Sequence, residues 1–160
     1  MPDVSKNDWL LVIHVAGAFC VLAGALFAVV LTQAAMRRSR PSEIALLLGL
    51  VRVSVVLIVV GMLVTLVFGL WLVGDTDHDF GDAWVSASLA LWIAALVLGS
   101  LGGRRDRHTR ALAEQLAASG DQPSTELTSR LHDRVTLFLS YGSGAAVIAI
   151  LVLMIWRPGS

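Results

Sequence analysis

The sequence has little charge and almost no cysteine. Asp, Glu, Lys and Arg make up 15% of its 160 residues, whereas about a quarter is usual in soluble domains. Acidic and basic residues balance at 12 each, which argues against nucleic-acid binding, because that function calls for a basic excess. Cys20 is the single cysteine and excludes an intramolecular disulfide. The chain also lacks the G-x-S-x-G, P-loop, H-E-x-x-H and C-x-x-C motifs, so we expect no enzyme.

Hydrophobic residues instead make up 56% of the chain. They are concentrated in four stretches without charge, at about residues 9–35, 53–73, 83–103 and 135–156. A helix needs about 20 apolar residues to cross a bilayer, and backbone groups inside lipid must pair within their own segment. The sequence therefore predicts an all-α, four-helix transmembrane bundle with up-down topology, in which residues 1–160 form a single domain.

The arginines predict which way the four spans point. Nine of them lie in the connections that follow spans 1 and 3: Arg37, Arg38, Arg40, Arg104, Arg105, Arg107, Arg110, Arg130 and Arg134. The connection GDTDHDFGD, residues 74–82, contains no basic residue, and only Lys6 and Arg157 lie on its side. Because basic loops stay in the cytoplasm, we expect both termini outside. The preference for arginine over lysine, with much alanine, valine, leucine and glycine, suggests a bacterium with a GC-rich genome, so the expected location is the bacterial cytoplasmic membrane.

Four of the five tryptophans support the same orientation. Trp9, Trp71, Trp84 and Trp156 each lie at a span end that the arginine count places outside. Tryptophan favours the headgroup level of a membrane because its ring is amphipathic. Two different features of the sequence therefore predict one outer interface.

The connection between spans 3 and 4, residues 104–134, is too polar for lipid but keeps a helical rhythm. Leucines recur there at a spacing of four, in the pairs Leu112 with Leu116 and Leu127 with Leu131. We expect spans 3 and 4 to extend into a cytoplasmic helical hairpin, packed through these leucines and reversing at ASGDQPS, residues 118–124.

Small residues predict how the spans pack. Ala16, Cys20, Gly24 and Ala28 recur at a spacing of four on span 1, and small residues let helix backbones approach closely in lipid. We interpret this stripe as a packing seam. A pore lining is the alternative, but it would require polar side chains at several depths, which the spans lack.

A charged pair is predicted near the cytoplasmic interface. Arg52 begins the second uncharged run, and Asp133 lies at the start of span 4 at a similar depth. An ion pair between Arg52 and Asp133 would explain both residues, as would snorkelling of Arg52 to the headgroups.

His14 is the most interesting candidate for chemistry. It lies five positions inside Trp9, about 7 Å deep at the rise of a helix, and an ionisable residue inside a span suggests function. Thr65 and Ser88 are predicted near the same depth, which would make a buried polar layer with His14. The alternatives are a neutral, hydrogen-bonded histidine, a haem or metal ligand, or a proton-relay group.

The acidic turn could add metal ligands to His14. Asp77, His78 and Asp79 lie just outside the membrane in the predicted topology, and carboxylates suit hard cations whereas imidazoles suit copper or zinc. The spacing matches no EF-hand or zinc signature, and an outer connection between two spans must be polar in any case.

The run WLLVIHVAGAF, which contains His14, resembles the opening of a bacterial family of small integral membrane proteins, domain of unknown function twenty-two sixty-nine. The family is loosely similar to CopD-type copper-resistance membrane domains. The four-span layout, the RRSRP loop and the long third connection extend the resemblance over most of the chain. It implies a four-helix bundle with metal or haem chemistry around His14.

Three functional hypotheses follow. The first is a structural or accessory bundle, partnered by the lipid bilayer and by a second copy or a larger membrane complex, with no cofactor and no nucleic acid. The second is metal or haem handling through His14 and the acidic turn Asp75–Asp82, with copper, zinc or haem as cofactor. The third is a small transporter or channel, which the apolar spans support least.

Overall fold

The computed structural model describes residues 6–75 and 83–156, and both ranges are almost entirely helical. The helices are α1 (Lys6–Met36), α2 (Pro41–Asp75), α3 (Ala83–Ala118), α4 (Thr125–Leu131) and α5 (Arg134–Trp156). Within the two described ranges there is no β-strand. Four helical lengths, with α4 and α5 counted together, are long and apolar enough to cross a membrane. The prediction of an all-α, four-span bundle is confirmed.

The two ends of the bundle differ in composition. We call one the arginine-rich end; it holds residues 37–40 and 104–134. We call the other the tryptophan end; it holds the first turns of α1 and α3 and the last turns of α2 and α5. At this end Lys6 Nζ lies 2.7 Å from Asp75 Oδ2 and 5.3 Å from the ring centre of Trp71, which ties α1 to α2.

α1 and α2 cross where both carry small residues. A Cβ atom on Gly61 would lie 2.8 Å from the carbonyl oxygen of Gly17 and 2.9 Å from the backbone nitrogen of Val21. A Cβ atom on Gly24 would lie 2.9 Å from the carbonyl oxygen of Ser54. The two backbones are therefore in contact, which is the close packing that small residues permit between helices in lipid.

The seam on α1 coincides with the predicted stripe at Gly24 but lies one position further along the chain at Gly17 and Val21. Gly24 lies at the contact as predicted, but Ala16 is exposed, and Cys20 and Ala28 are only partly buried. The seam begins at Gly17 instead. One residue turns a helix by about 100°, so a shift of one position moves a stripe to a different face.

The helix pair α1–α2 and the helix pair α3–α5 meet in the middle of the bundle. α1 packs mainly on α2, and α5 packs mainly on α3. One residue from each of these four helices enters a shared buried cluster, formed by Val21, Met62, Ala95 and Ala146.

The arginine-rich end has a second hydrophobic core. Its buried members come from α1, α2, α3 and α4: Ala35, Ile44, Leu48, Ala113, Leu127 and Leu131. Leu112 and Leu116 pack against it. The predicted helical hairpin is present, and its leucines belong to the same hydrophobic cluster as Ile44 and Leu48 of α2.

Asp133 marks the break between α4 and α5. Its Oδ2 accepts hydrogen bonds from the backbone N–H and the hydroxyl of Thr136, at 3.2 and 3.1 Å, and so caps α5. Arg105 Nη1 donates to the same oxygen at 2.6 Å. The structure thus corrects the predicted pair: Asp133 binds Arg105 of the neighbouring α3, whereas Arg52 is exposed on α2.

Candidate functional site

A cavity of about 490 Å³ lies between α1, α2, α3 and α5 towards the tryptophan end. It is walled mainly by aliphatic side chains, and the three residues predicted as a polar layer, His14, Thr65 and Ser88, all line it. Phe19 and Ile155, at its edge, are 67% and 81% exposed. The cavity is therefore open to the surface of the bundle that lipid would cover.

His14 lies against α2, where it makes one hydrogen bond and occupies the space left by a glycine. Its Nδ1 lies 2.9 Å from the carbonyl oxygen of Thr65. A Cβ atom on Gly69, one turn further along α2, would lie 2.8 Å from Cε1 of His14 and 3.0 Å from Nδ1. Gly69 therefore makes the space that the imidazole occupies.

This hydrogen bond fixes the tautomer of His14. A carbonyl oxygen can only accept, so Nδ1 must donate and carry the proton. In the neutral imidazole Nε2 then has a free lone pair and can only accept a hydrogen bond or bind a metal. The same orientation, with Nδ1–H bonded to a backbone carbonyl, is typical of histidine ligands. His14 can therefore act as a Lewis base within the cavity.

One face of α3 supplies polar groups to the opposite wall. Trp84, Ser88 and Trp92 recur at a spacing of four, and all three line the cavity. Ser88 is 7% exposed. Among the described residues, neither Ser88 Oγ nor Trp92 Nε1 has a hydrogen-bond partner, and both atoms are buried.

Thr65 provides a third buried polar atom without a partner in the described part of the chain, its Oγ1. This atom faces α1, since a Cβ atom on Gly17 would lie 2.7 Å from it. Buried polar groups are nearly always hydrogen-bonded in native proteins. The Thr65 oxygen lies in the α1–α2 crossing, whereas Ser88 and Trp92 both line the cavity, so their two unpartnered atoms are available to a polar group of a bound molecule.

The cavity lining has no charged side chain among the residues that the structure describes. Its walls come from aliphatic and aromatic residues, and its hydrogen-bonding groups are neutral. An ionised group placed there would lose its hydration without gaining a counter-ion, which is costly. The cavity is suited to a neutral, largely apolar molecule.

A bare metal ion fits these residues poorly. Residues 6–75 and 83–156 contain no group of three or more His, Cys, Asp or Glu side chains that could hold one. Asp77, His78 and Asp79, the predicted partners of His14, lie outside the described residues. Haem would need only an axial nitrogen, which His14 has, but its two ionised propionates would meet no cation in this lining.

Gly69 and Trp92 belong to the site but were not predicted as part of it. Gly69 follows Thr65 by one helical turn, and Trp92 follows Ser88 by one turn. Both could have been found by extending the proposed polar layer along its own helix faces at a spacing of four. Trp92 in particular is the one tryptophan that does not lie at a span end.

Comparison with known proteins gives one match. The family described as "Predicted integral membrane protein (DUF2269)" matches residues 8–158, which include nearly all of the five helices. No curated protein and no solved structure matches. The likeness to CopD-type copper-resistance domains therefore has no support from these comparisons.

Proposed function

Because this chain belongs to the DUF2269 family of predicted integral membrane proteins, we propose that it works within the bilayer as a binding protein for a lipid-soluble small molecule. The ligand occupies the cavity at the tryptophan end, and His14 is its polar anchor. The observation that carries the proposal is the bond from His14 Nδ1–H to the Thr65 carbonyl, which leaves Nε2 free.

The size and lining of the cavity support this function. Sites for small molecules typically measure about 300–1,000 Å³ and combine apolar walls with a few polar groups. The cavity, at about 490 Å³, has both properties. Since its edge includes the exposed Phe19 and Ile155, a ligand would enter sideways from the lipid and need not cross water.

The proposed setting is the bacterial cytoplasmic membrane, with both termini outside. This orientation is supported by the nine arginines at the arginine-rich end and by the tryptophans at the other end. Trp9, Trp71 and Trp156 are 61%, 49% and 82% exposed, as suits an aromatic belt at the membrane surface. The cavity would then open to the outer leaflet.

The test compares what co-purifies with the wild-type protein and with two histidine variants. After purification in a mild detergent, with air excluded and a reductant present so that a redox-active ligand keeps the proton it would donate to Nε2, organic extraction and mass spectrometry would quantify bound lipid-soluble molecules, and absorption spectra would show any chromophore. We expect His14→Ala to reduce the bound amount about tenfold, which corresponds to roughly 1.4 kcal/mol. His132→Ala is the matched control, because the His132 side chain is exposed and bonds to the Thr128 carbonyl. Equal binding by all three proteins would refute the proposal.

A structural or accessory role is the second candidate. It is favoured by the arginine-rich end, where the helices pack around a second hydrophobic core. This folded end extends the bundle beyond its hydrophobic spans, so another protein could dock on it. On this alternative the protein docks on a second copy or on a larger membrane complex. Crosslinking in mild detergent tests it: a monomer with no recovered partner contradicts this role, and a specific crosslinked partner without a bound ligand favours it over ligand binding.

A further inference from the structure

Resting on the proposed function, we propose that the ligand belongs to the quinone and quinol class, with its ring in the cavity and its isoprenoid tail in the lipid. The inference comes from matching hydrogen-bond donors and acceptors around the cavity. Ser88, Trp92 and His14 define what the polar part of the ligand must offer, and the absence of charge in the described lining defines what it cannot be.

The α3 wall requires an acceptor on the ligand. The indole Nε1–H of Trp92 can only donate, and the hydroxyl of Ser88 also has a proton to give. Both atoms are buried without a partner among the described residues, and a buried donor that makes no bond costs free energy. A ring carbonyl oxygen placed against this wall would satisfy one or both donors.

The α1 wall offers an acceptor and so favours a ligand that has a donor. Nε2 of His14 carries a lone pair and no proton, because Nδ1–H is bonded to the Thr65 carbonyl. A quinol hydroxyl can donate to Nε2, whereas a quinone has no proton to give. The site should therefore distinguish the two redox forms, with His14 acting on the quinol alone.

Charge and shape narrow the class further. Fatty acids, phospholipids and haem each carry at least one ionised carboxylate or phosphate, and no Lys or Arg lines the described cavity wall to meet it. Trp84 and Trp92 lie two turns apart on one helix face, so a flat neutral ring can stack against indole on the α3 side. A neutral aromatic-like ring with carbonyl or hydroxyl groups meets every requirement.

The experiment measures binding of decylubiquinone and of its reduced form in lipid nanodiscs that contain the full chain. Quinones quench tryptophan fluorescence, and both Trp84 and Trp92 line the cavity, so saturable quenching reports occupancy by the oxidised form. Binding of the reduced form is measured without air, from the rise it causes in the half-saturating concentration of the oxidised form. We expect Ser88→Ala to raise the half-saturating concentration of decylubiquinone about three- to tenfold, the usual effect of one neutral hydrogen bond. Trp92→Phe should act similarly, with the remaining tryptophans as reporters.

His14→Ala supplies the sharpest outcome: it should weaken binding of the reduced form and leave the oxidised form nearly unchanged. Ser100→Ala is the control, since that exposed hydroxyl bonds to the Val97 carbonyl on its own helix. Saturable binding that Ser88→Ala and Trp92→Phe leave unchanged would overturn the assignment of the donors.

The two proposals fail in different ways. Recovery of a lipid-soluble molecule without a quinone ring that His14→Ala removes, together with no binding of decylubiquinone, would overturn the quinone inference and keep the proposed function. If neither decylubiquinone nor any co-purifying molecule binds, and His14→Ala changes nothing, both proposals fall.

Discussion

Asp121 caps the N-terminus of α2 from a turn that lies 79 residues further along the chain. Its Oδ1 accepts from the backbone N–H of Ser42 at 2.7 Å, and its Oδ2 accepts from the Ser42 hydroxyl, also at 2.7 Å. Asp121 has a φ of 57° and follows Gly120 with a φ of 120°, so the chain reverses in the left-handed region after α3. A carboxylate at a helix N-terminus satisfies free N–H groups and the helix dipole. One side chain thus fastens the α3–α4 turn to α2.

We expect Asp121→Ala to loosen this junction without unfolding the spans. The variant leaves the Ser42 N–H without its carboxylate, so amide exchange should accelerate in residues 119–124 and in the first turn of α2. Hydrogen-exchange mass spectrometry in detergent measures both segments. Gln122→Ala, at an exposed neighbouring position, is the control. An unchanged exchange rate in the first turn of α2 would show that the cap does not hold it.

The same contact should depend on pH. Hydrogen bonds from the side chain and then the backbone of Ser42 hold the pKa of Asp121 below its usual range, with a smaller contribution from the charge of Arg40. A lowered pKa in the folded state means that this stabilisation is fully present above the ordinary carboxyl pKa. It is lost as the pH falls through the lowered value. The difference in melting temperature between wild type and Asp121→Ala should therefore be constant near neutral pH and shrink in acid.

The α1–α2 crossing should reject even one methyl group at Gly61. A Cβ atom there would lie 2.8 Å from the Gly17 carbonyl oxygen, which is backbone and cannot swing aside. We expect Gly61→Ala to destabilise the protein by about 1–3 kcal/mol, the usual range for overpacking. Gly99→Ala is the matched control, because a Cβ atom on Gly99 meets nothing within 4 Å. Thermal unfolding followed by tryptophan fluorescence measures both, and equal stability of the two variants would contradict the crossing.

The spans could be predicted from the sequence because hydropathy along one segment decides them. Crossing lipid depends on length and charge alone, so α1 to α3 needed no knowledge of their neighbours. The face that each helix buries is different, since it depends on how two helices cross. Ala16 and Gly17 are both small, and only the position of α2 decides that Gly17 makes the contact.

Depth in the membrane also predicts which polar residues lie at the same level of the bundle. His14, Thr65 and Ser88 were placed at one level by counting from the tryptophans, and all three line one cavity. Depth does not give the angle around the bundle axis, however. Arg52 and Asp133 were matched in depth, yet Arg105 is the cation on the helix beside Asp133.

The Arg105–Asp133 pair should be energetically coupled, and the Arg52–Asp133 pair should not. Arg105 Nη1 donates to Asp133 Oδ2 at 2.6 Å, whereas Arg52 is exposed on α2. Because the pair is solvent-exposed, we expect only a small effect that salt weakens further. Double-mutant cycles with alanine at each position, read from melting temperatures, would measure it. Coupling of Arg52 to Asp133 as large as that of Arg105 would refute the assignment.

The orientation of the bundle can be tested with single cysteines in a Cys20→Ser background. Gly74→Cys reports the tryptophan end, where a Cβ atom meets nothing within 4 Å, and Gln122→Cys reports the exposed turn at the arginine-rich end. Arginine-rich connections stay in the cytoplasm because their charge opposes transfer across the membrane. We therefore expect an impermeant maleimide to label Gly74→Cys in intact cells, and Gln122→Cys only after the membrane is opened. The reverse pattern would turn the cavity towards the inner leaflet, so a ligand would then have to enter from the cytoplasmic side.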